Sequence, residues 1–68
     1  MRFLVETEQE EDGRWIAEVV ELPGVLAYGK TRDEARAMVQ ALALRVVADR
    51  IEHGETGQEL VSISFAVA

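Results

Sequence analysis

The stretch ELPGVLAYGKTRDEA, residues 21–35, constrains the fold more than any other part of this sequence. It places a Pro-Gly turn, a short apolar run and a helix start next to one another. Pro23 and Gly24 suit the second and third positions of a type II turn, where glycine takes a positive φ. Because such a turn has the wrong twist for a tight two-residue hairpin, we expect a wider connection or a bulge near Glu21.

A short strand, VLAY at residues 25–28, should follow the turn and end at the next glycine. Thr31 then predicts a helix start, since its hydroxyl can cap the helix and Glu34 can reach back to it in a T-x-x-E capping box. The helix is expected to run to about His53, where Gly54 can take the left-handed position that ends many helices.

The residues before this stretch predict a β-hairpin. Residues 2–8, RFLVETE, alternate in character with the period of two that is typical of an antiparallel strand. Residues 10–13, EEDG, are a turn in which Gly13 can adopt a positive φ. Residues 14–20, RWIAEVV, return as a second strand rich in aromatic and β-branched side chains.

The chain should close with a strand at residues 60–67, LVSISFAV, after a polar loop. The element order is then β-β-β-α-β, an α+β fold with a four-stranded sheet in the order 3-2-1-4. The last strand should pair parallel to the first, and a right-handed crossover places the single helix on one face of the sheet. The other sheet face has nothing in this chain to cover it.

Two apolar stripes run along the predicted helix, and the sheet can cover only one of them. The first consists of Ala35, Met38, Val39, Leu42 and Val46. The second follows the a/d spacing of a close-packed helix seam and consists of Ala37, Ala41, Leu44, Ala48 and Ile51. The sequence does not decide which stripe faces the sheet. We predict that the second stripe makes a protein contact through Leu44, Ala48 and Ile51; the alternative is that its alanines only supply helix propensity.

Length and composition limit the kind of protein this is. Sixty-eight residues make a single domain, 1–68, and 49% of them are apolar. Since a chain of this size buries only about 60% of its unfolded surface, we expect a homodimer or a higher homo-oligomer. There is no cysteine, and no apolar run approaches the length of about 20 residues that a membrane span needs. The N-terminus lacks the apolar core of a signal peptide, so we expect a cytoplasmic protein.

The net charge of −6 is concentrated near the hairpin, where seven acids between Glu6 and Glu21 face one base, Arg14. Such a surface repels phosphate backbones, so we expect no direct nucleic-acid binding. It suits a basic protein partner, and the candidate contact residues are Glu8, Glu10, Glu11 and Asp12. The alternative is a solvated hairpin that keeps the protein soluble.

We expect no catalytic site, no cofactor and no metal. His53 lies at a helix end without a partner nucleophile, and Ser62 and Ser64 lie mid-strand without a neighbouring base. The string GVLAYGKT, residues 24–31, satisfies G-x-x-x-x-G-K-[ST]. Its middle residues are an apolar strand-like run rather than a flexible phosphate cradle, so we interpret the match as coincidence.

The motif DGRWIAEVVELPGVLAYGKTRDEA, residues 12–35, resembles the core signature of the HicB-like antitoxins. The matching positions are Asp12-Gly13, Trp15, Ala17-Glu18, Leu22-Pro23-Gly24, Gly29, Thr31 and Glu34-Ala35. The resemblance implies a partial RNase H-like fold, and a non-enzymatic domain that covers and inhibits a small basic RNA-cleaving toxin of the HicA type.

The sequence departs from the family pattern at three places. Met38 stands where a polar residue is common, and Val25 stands where a cysteine is common. The sequence ends at Ala68, where many members of the family continue into a DNA-binding segment, so we expect no binding to operator DNA. An orphan oligomeric module that binds another protein or a ligand, with no toxin partner, is the alternative function.

Overall fold

The computed structural model describes residues 1–54 and 62–68. Its elements are β1 (Arg2–Gln9), β2 (Trp15–Val19), β3 (Leu26–Gly29), α1 (Arg32–Glu52) and β4 (Ser64–Val67). They form one four-stranded sheet in the order β3-β2-β1-β4. β1 is antiparallel to β2 and parallel to β4, and β3 is antiparallel to β2. The predicted α+β class, strand order and parallel final pairing are confirmed.

Every strand differs from its predicted bounds, by one residue in β1, β2 and β3 and by more at the start of β4. β1 ends at Gln9 rather than at residue 8, and β2 spans Trp15–Val19 rather than residues 14–20. β3 begins at Leu26, one residue later than expected, because Val25 closes the preceding turn by donating its N–H to the Leu22 carbonyl at 3.0 Å. β4 begins at Ser64 rather than at residue 60. Residues 60 and 61 of the predicted strand lie outside the described residues.

Both predicted turn glycines have the positive φ that their turns require. Gly24 has φ 86°, and together with the bond from Val25 to Leu22 it forms the expected type II turn. Gly13 has φ 91° in the hairpin turn. The link from β2 to β3 spans residues 20–25, as expected of a connection wider than a tight hairpin.

The helix begins and ends close to the predicted residues. The Thr31 hydroxyl accepts the N–H of Glu34 at 3.0 Å, as an N-cap should. The expected return bond to Thr31 is wrong: the Glu34 carboxylate instead accepts the N–H of Lys30 at 3.2 Å, one residue earlier in the chain. At the other end His53 is the C-cap, and Gly54 follows with φ 69°.

The core lies between α1 and one face of the sheet. The helix contributes Ala35, Val39, Ala43 and Val47, each four residues after the last. Leu42 and Val46 pack at the margin of this core. The sheet and the β2–β3 link contribute Phe3, Val5, Ala17, Val19, Leu22 and Val25.

The first helix stripe therefore faces the sheet, with three corrections to its predicted membership. Met38 is 50% exposed and lies outside the core. Ala43 and Val47, which neither predicted stripe included, are buried in the core. The buried positions recur every four residues, slightly more than the roughly 3.6 residues of one helical turn, so the buried face shifts around α1 instead of following one fixed stripe.

The position of α1 leaves the two faces of the sheet unequal. The helix contacts β3 and β2 most, β1 less, and no described element packs on the opposite face. At the β4 side Phe65 stacks against Phe3 with ring centroids 5.6 Å apart. Within the described ranges, no helix combines the length and apolar character needed to cross a bilayer.

Candidate functional site

The uncovered sheet face carries two rows of side chains that run across three strands. Cross-strand partners point to the same side of a sheet. One row consists of Glu6 on β1, Glu18 on β2 and Leu26 on β3; the next consists of Glu8, Ile16 and Tyr28. We call these six residues the open-face patch. Its acids and its tyrosine and leucine are exposed, and Ile16 is half-buried.

The patch is acidic on one side and apolar on the other. Its two β1 positions are both glutamates, whereas its two β3 positions are Leu26 and Tyr28, exposed by 39% and 40%. Glu6, Glu8, Glu18 and Ile16, with Thr7, line a shallow depression at the acidic side. This arrangement can bind a partner surface on which cationic side chains lie next to apolar ones.

Glu6 and Glu18 are direct cross-strand partners, and neither has a cation within ion-pairing distance. Every Lys and Arg of the sequence lies in the described ranges 1–54 and 62–68. The ion pairs found there join Arg14 to Asp12, Arg36 to Asp33 and His53 to Asp49. Like charges directly opposite each other are unfavourable in a sheet, and none of these ion pairs among the described residues involves Glu6 or Glu18.

The four predicted partner-contact residues fall into two groups. Glu8 belongs to the open-face patch, whereas Glu10, Glu11 and Asp12 lie in the hairpin turn beside Arg14. Asp12 is engaged within the chain: one carboxylate oxygen accepts the Arg14 backbone N–H at 3.0 Å and the other accepts Nε at 2.8 Å. The backbone hydrogen bond from Arg14, followed by its side chain, lowers the pKa of Asp12 below its ordinary value.

Glu6 and Glu18 were missed as candidate residues by the sequence reasoning, although a signal for them was available. Period-two alternation places Glu6 and Glu8 on the same side of β1. A hairpin that turns at residues 10–13 brings Glu18 opposite Glu6. The clustering of acids along the sequence points to the turn, whereas the pairing of Glu6 with Glu18 follows only from the strand register.

Two arginines lie over aromatic rings at the hairpin end of the sheet. The Arg14 guanidinium is 4.7 Å from the ring centroid of the exposed Tyr28 on the open face. Arg32, in the first turn of α1, is 4.6 Å from that of the half-buried Trp15 on the helix face. Cation–π contacts of this kind are weakly favourable at exposed sites, and the first of them places the Arg14 cation at the border of the patch.

The predicted oligomer contacts lie on the side of α1 that points away from the sheet. Leu44 and Ile51 are 45% and 46% exposed, and Ala48 is exposed between them. The structure therefore leaves the second helix stripe accessible along its length. Whether it meets another chain stays a prediction.

Among the described residues, no hydrogen bond or ion pair joins His53 to Ser62 or Ser64. His53 donates from Nδ1 to the Asp49 carbonyl at 2.7 Å and is exposed at the helix end. Ser64 pairs with Arg2 at the sheet edge, and the Ser62 carbonyl accepts the N-terminal ammonium at 2.7 Å. Among the described residues, no cluster of three or more His, Asp or Glu could hold a metal ion.

The resemblance to a phosphate loop does not extend to the backbone. Residues 26–29 of GVLAYGKT form β3 rather than a loop. In the first turn of α1 the N–H of Glu34 is already taken by the Thr31 hydroxyl, and the Glu34 carboxylate accepts the N–H of Lys30 just before the helix.

No family model, curated protein or solved structure matches this chain. What the site can bind is therefore inferred from its own side chains. The open-face patch offers carboxylates for cations and an apolar border for packing, a combination suited to binding a protein surface.

Proposed function

We propose that this chain is a non-enzymatic, antitoxin-like binding protein that inhibits a HicA-type mRNA-cleaving toxin by covering its active site. The observation that supports this most is the sheet face that α1 leaves uncovered. It carries three carboxylates, Glu6, Glu8 and Glu18, with no intramolecular cation partner.

The physical reason lies in what an RNA-cleaving protein must present. Such a protein holds phosphates with Lys and Arg side chains, and the same cations attract a carboxylate surface. Complementary charge speeds encounter and disfavours wrong partners. An acidic patch seated over those cations would exclude the RNA, which carries the same sign of charge.

The resemblance to HicB-like antitoxins bears on the fold of this chain more directly than on the surface that would contact the toxin. Its signature positions include Gly13 and Gly24 in turns, Gly29 against the helix, and Thr31 as the N-cap. Each of these has a structural role in this chain. The inhibitory role must therefore be carried by surface residues outside the signature's turn and cap positions.

Co-expression tests the proposal. A small basic protein encoded next to this chain, of about the same size and with a double-stranded-RNA-binding-like pattern, is expected to arrest growth when induced alone. Induction together with this chain should restore growth, and the two should co-purify in a stable complex. Growth arrest that persists at full expression of this chain would contradict the proposal.

The alternative, an oligomeric module that binds another protein or a ligand and has no toxin partner, is favoured by a different observation. The exposed Leu44, Ala48 and Ile51 of α1 form an apolar surface without the acids of the open-face patch. A chain that self-associates through this helix, and whose neighbouring protein is not toxic, would fit the alternative.

A further inference from the structure

We propose that the open-face patch, rather than the hairpin turn, is the docking surface of this protein, and that its occupant is a protein surface bearing Lys or Arg beside apolar side chains. This inference rests on the proposed binding function, and names its contact surface and the chemistry of the partner.

The arrangement of the patch matches a partner with both features. Its acidic side is formed by Glu6 and Glu8 on β1, with Glu18 next to them on β2. Its apolar side is formed by Leu26 and Tyr28 on β3. Because charge and apolar surface occupy separate columns, a partner needs cations over β1 and an apolar group over β3, which fixes its orientation.

The repulsion between Glu6 and Glu18 favours such a partner. The two residues are direct partners across β1 and β2, and no ion pair among the described residues involves either of them. A Lys or Arg placed between them removes the repulsion and adds a favourable contact. Relief of the like-charge contact between Glu6 and Glu18 would therefore contribute to the binding free energy.

The hairpin turn is less suited to this role because one of its three carboxylates is already bonded within the chain. Asp12 is paired with Arg14 through two hydrogen bonds. This pairing offsets one negative charge of the turn, whereas none of the ion pairs among the described residues involves Glu6, Glu8 or Glu18.

The first test uses a defined probe and the whole chain. An amphipathic peptide of lysine and leucine is titrated into the isotope-labelled protein at low salt, with a peptide of glutamate and leucine as the control. We expect amide shifts to concentrate at Glu6, Glu8, Ile16, Glu18 and Tyr28. Shifts confined to residues 10–12, or equal shifts with the glutamate peptide, would overturn the proposal.

Matched variants measure the charge contribution. The double variant Glu6→Gln, Glu18→Gln should raise the Kd for the lysine peptide about two- to thirtyfold, the range for the loss of two exposed ion pairs. Glu10→Gln with Glu11→Gln removes the same charge from the turn and should leave the Kd within about twofold. The reverse ranking would contradict the proposal.

The apolar side is tested by Leu26→Ser, with Met38→Ser as its control, since both side chains are exposed and Met38 lies on the helix. Only the first should weaken peptide binding. With a HicA-type toxin, the same variants separate the two proposals. Peptide binding at the patch without toxin inhibition would disprove the proposed function alone. Inhibition that tolerates the patch variants but not the turn variants would disprove the docking surface alone.

Discussion

Gly29 sets the distance between the helix and the sheet. A Cβ added at this position would lie 2.5 Å from the backbone nitrogen of Ala35 and 3.0 Å from its Cα. Both are backbone atoms, which cannot move aside as the tip of a side chain can. The glycine therefore allows the end of β3 to contact the first turn of α1 directly.

We predict that Gly29→Ala lowers the free energy of unfolding by at least about 2 kcal/mol, since overfilling a packed contact forces backbone shifts. Urea denaturation monitored by circular dichroism measures this. The neighbouring Lys30→Ala serves as the control, and as an exposed change it should cost no more than about 0.5 kcal/mol. Equal effects of the two substitutions would show that the close approach carries no strain.

Asp12 gives a prediction about pH. Its folded-state pKa is lowered below the ordinary 3.8, chiefly by the Arg14 backbone N–H. The stabilising contribution is therefore present above about pH 3.8 and is lost as the pH falls through the lower folded value. Carboxyl NMR titration should find this pKa below 3.8 in the folded protein.

Arg14→Gln separates the two causes of that shift. Because the backbone donor remains in this variant, the pKa of Asp12 should stay lowered, though by less than in the parent protein. A return to the ordinary value would mean that the guanidinium, and not the backbone hydrogen bond, is the main cause.

At the scale of elements, the start of α1 is well determined by local sequence. Thr31 caps the helix as predicted. The Glu34 carboxylate, however, bonds to Lys30 rather than to Thr31, because the N–H of Lys30, directly after the end of β3, lies 3.2 Å from it. Local sequence was enough to identify Thr31 as the cap. The backbone N–H that the Glu34 carboxylate accepts depends on where β3 ends.

Thr31→Ala should cost about 1 kcal/mol of stability, since the N–H of Glu34 loses its acceptor at the helix end. Thr31→Ser keeps the hydroxyl and should retain most of the stability. Thermal and urea unfolding of both variants provide the measurement. A serine variant as unstable as the alanine variant would show that the threonine methyl group, and not the cap, matters.

The sheet was predictable in order but not in every boundary. Alternation of residues 2–8 and 14–20 and the Pro-Gly turn sufficed for the order β3-β2-β1-β4. The start of β3 was misplaced by one residue because Val25 closes the turn with Leu22. The acids of the open-face patch required strand register, which clustering along the chain does not reveal.

At the scale of the whole molecule, the exposed outer stripe of α1 predicts self-association. Leu44→Glu should shift the protein from oligomer to monomer by light scattering while leaving its circular dichroism spectrum unchanged. The thermal midpoint of the parent protein should rise with its concentration, as expected when association stabilises the folded state, and that of the variant should not.

Met38→Glu is the matched control for that experiment. It also replaces an exposed apolar side chain of α1 with a carboxylate, but Met38 lies outside the predicted seam. Its oligomeric state should match that of the parent protein. A Leu44→Glu protein that stays oligomeric and folded would contradict the predicted interface at Leu44, Ala48 and Ile51.

The sequence by itself determined the element order, both glycine turns and the helix cap, because each depends on residues close together in the chain. Tertiary structure decided which helix face is buried, through the packing of Ala35, Val39, Ala43 and Val47 against the sheet. It also brought Glu6 opposite Glu18 and left Leu26 and Tyr28 beside them. These relations depend on strand register and on helix–sheet packing, which act between residues far apart in sequence.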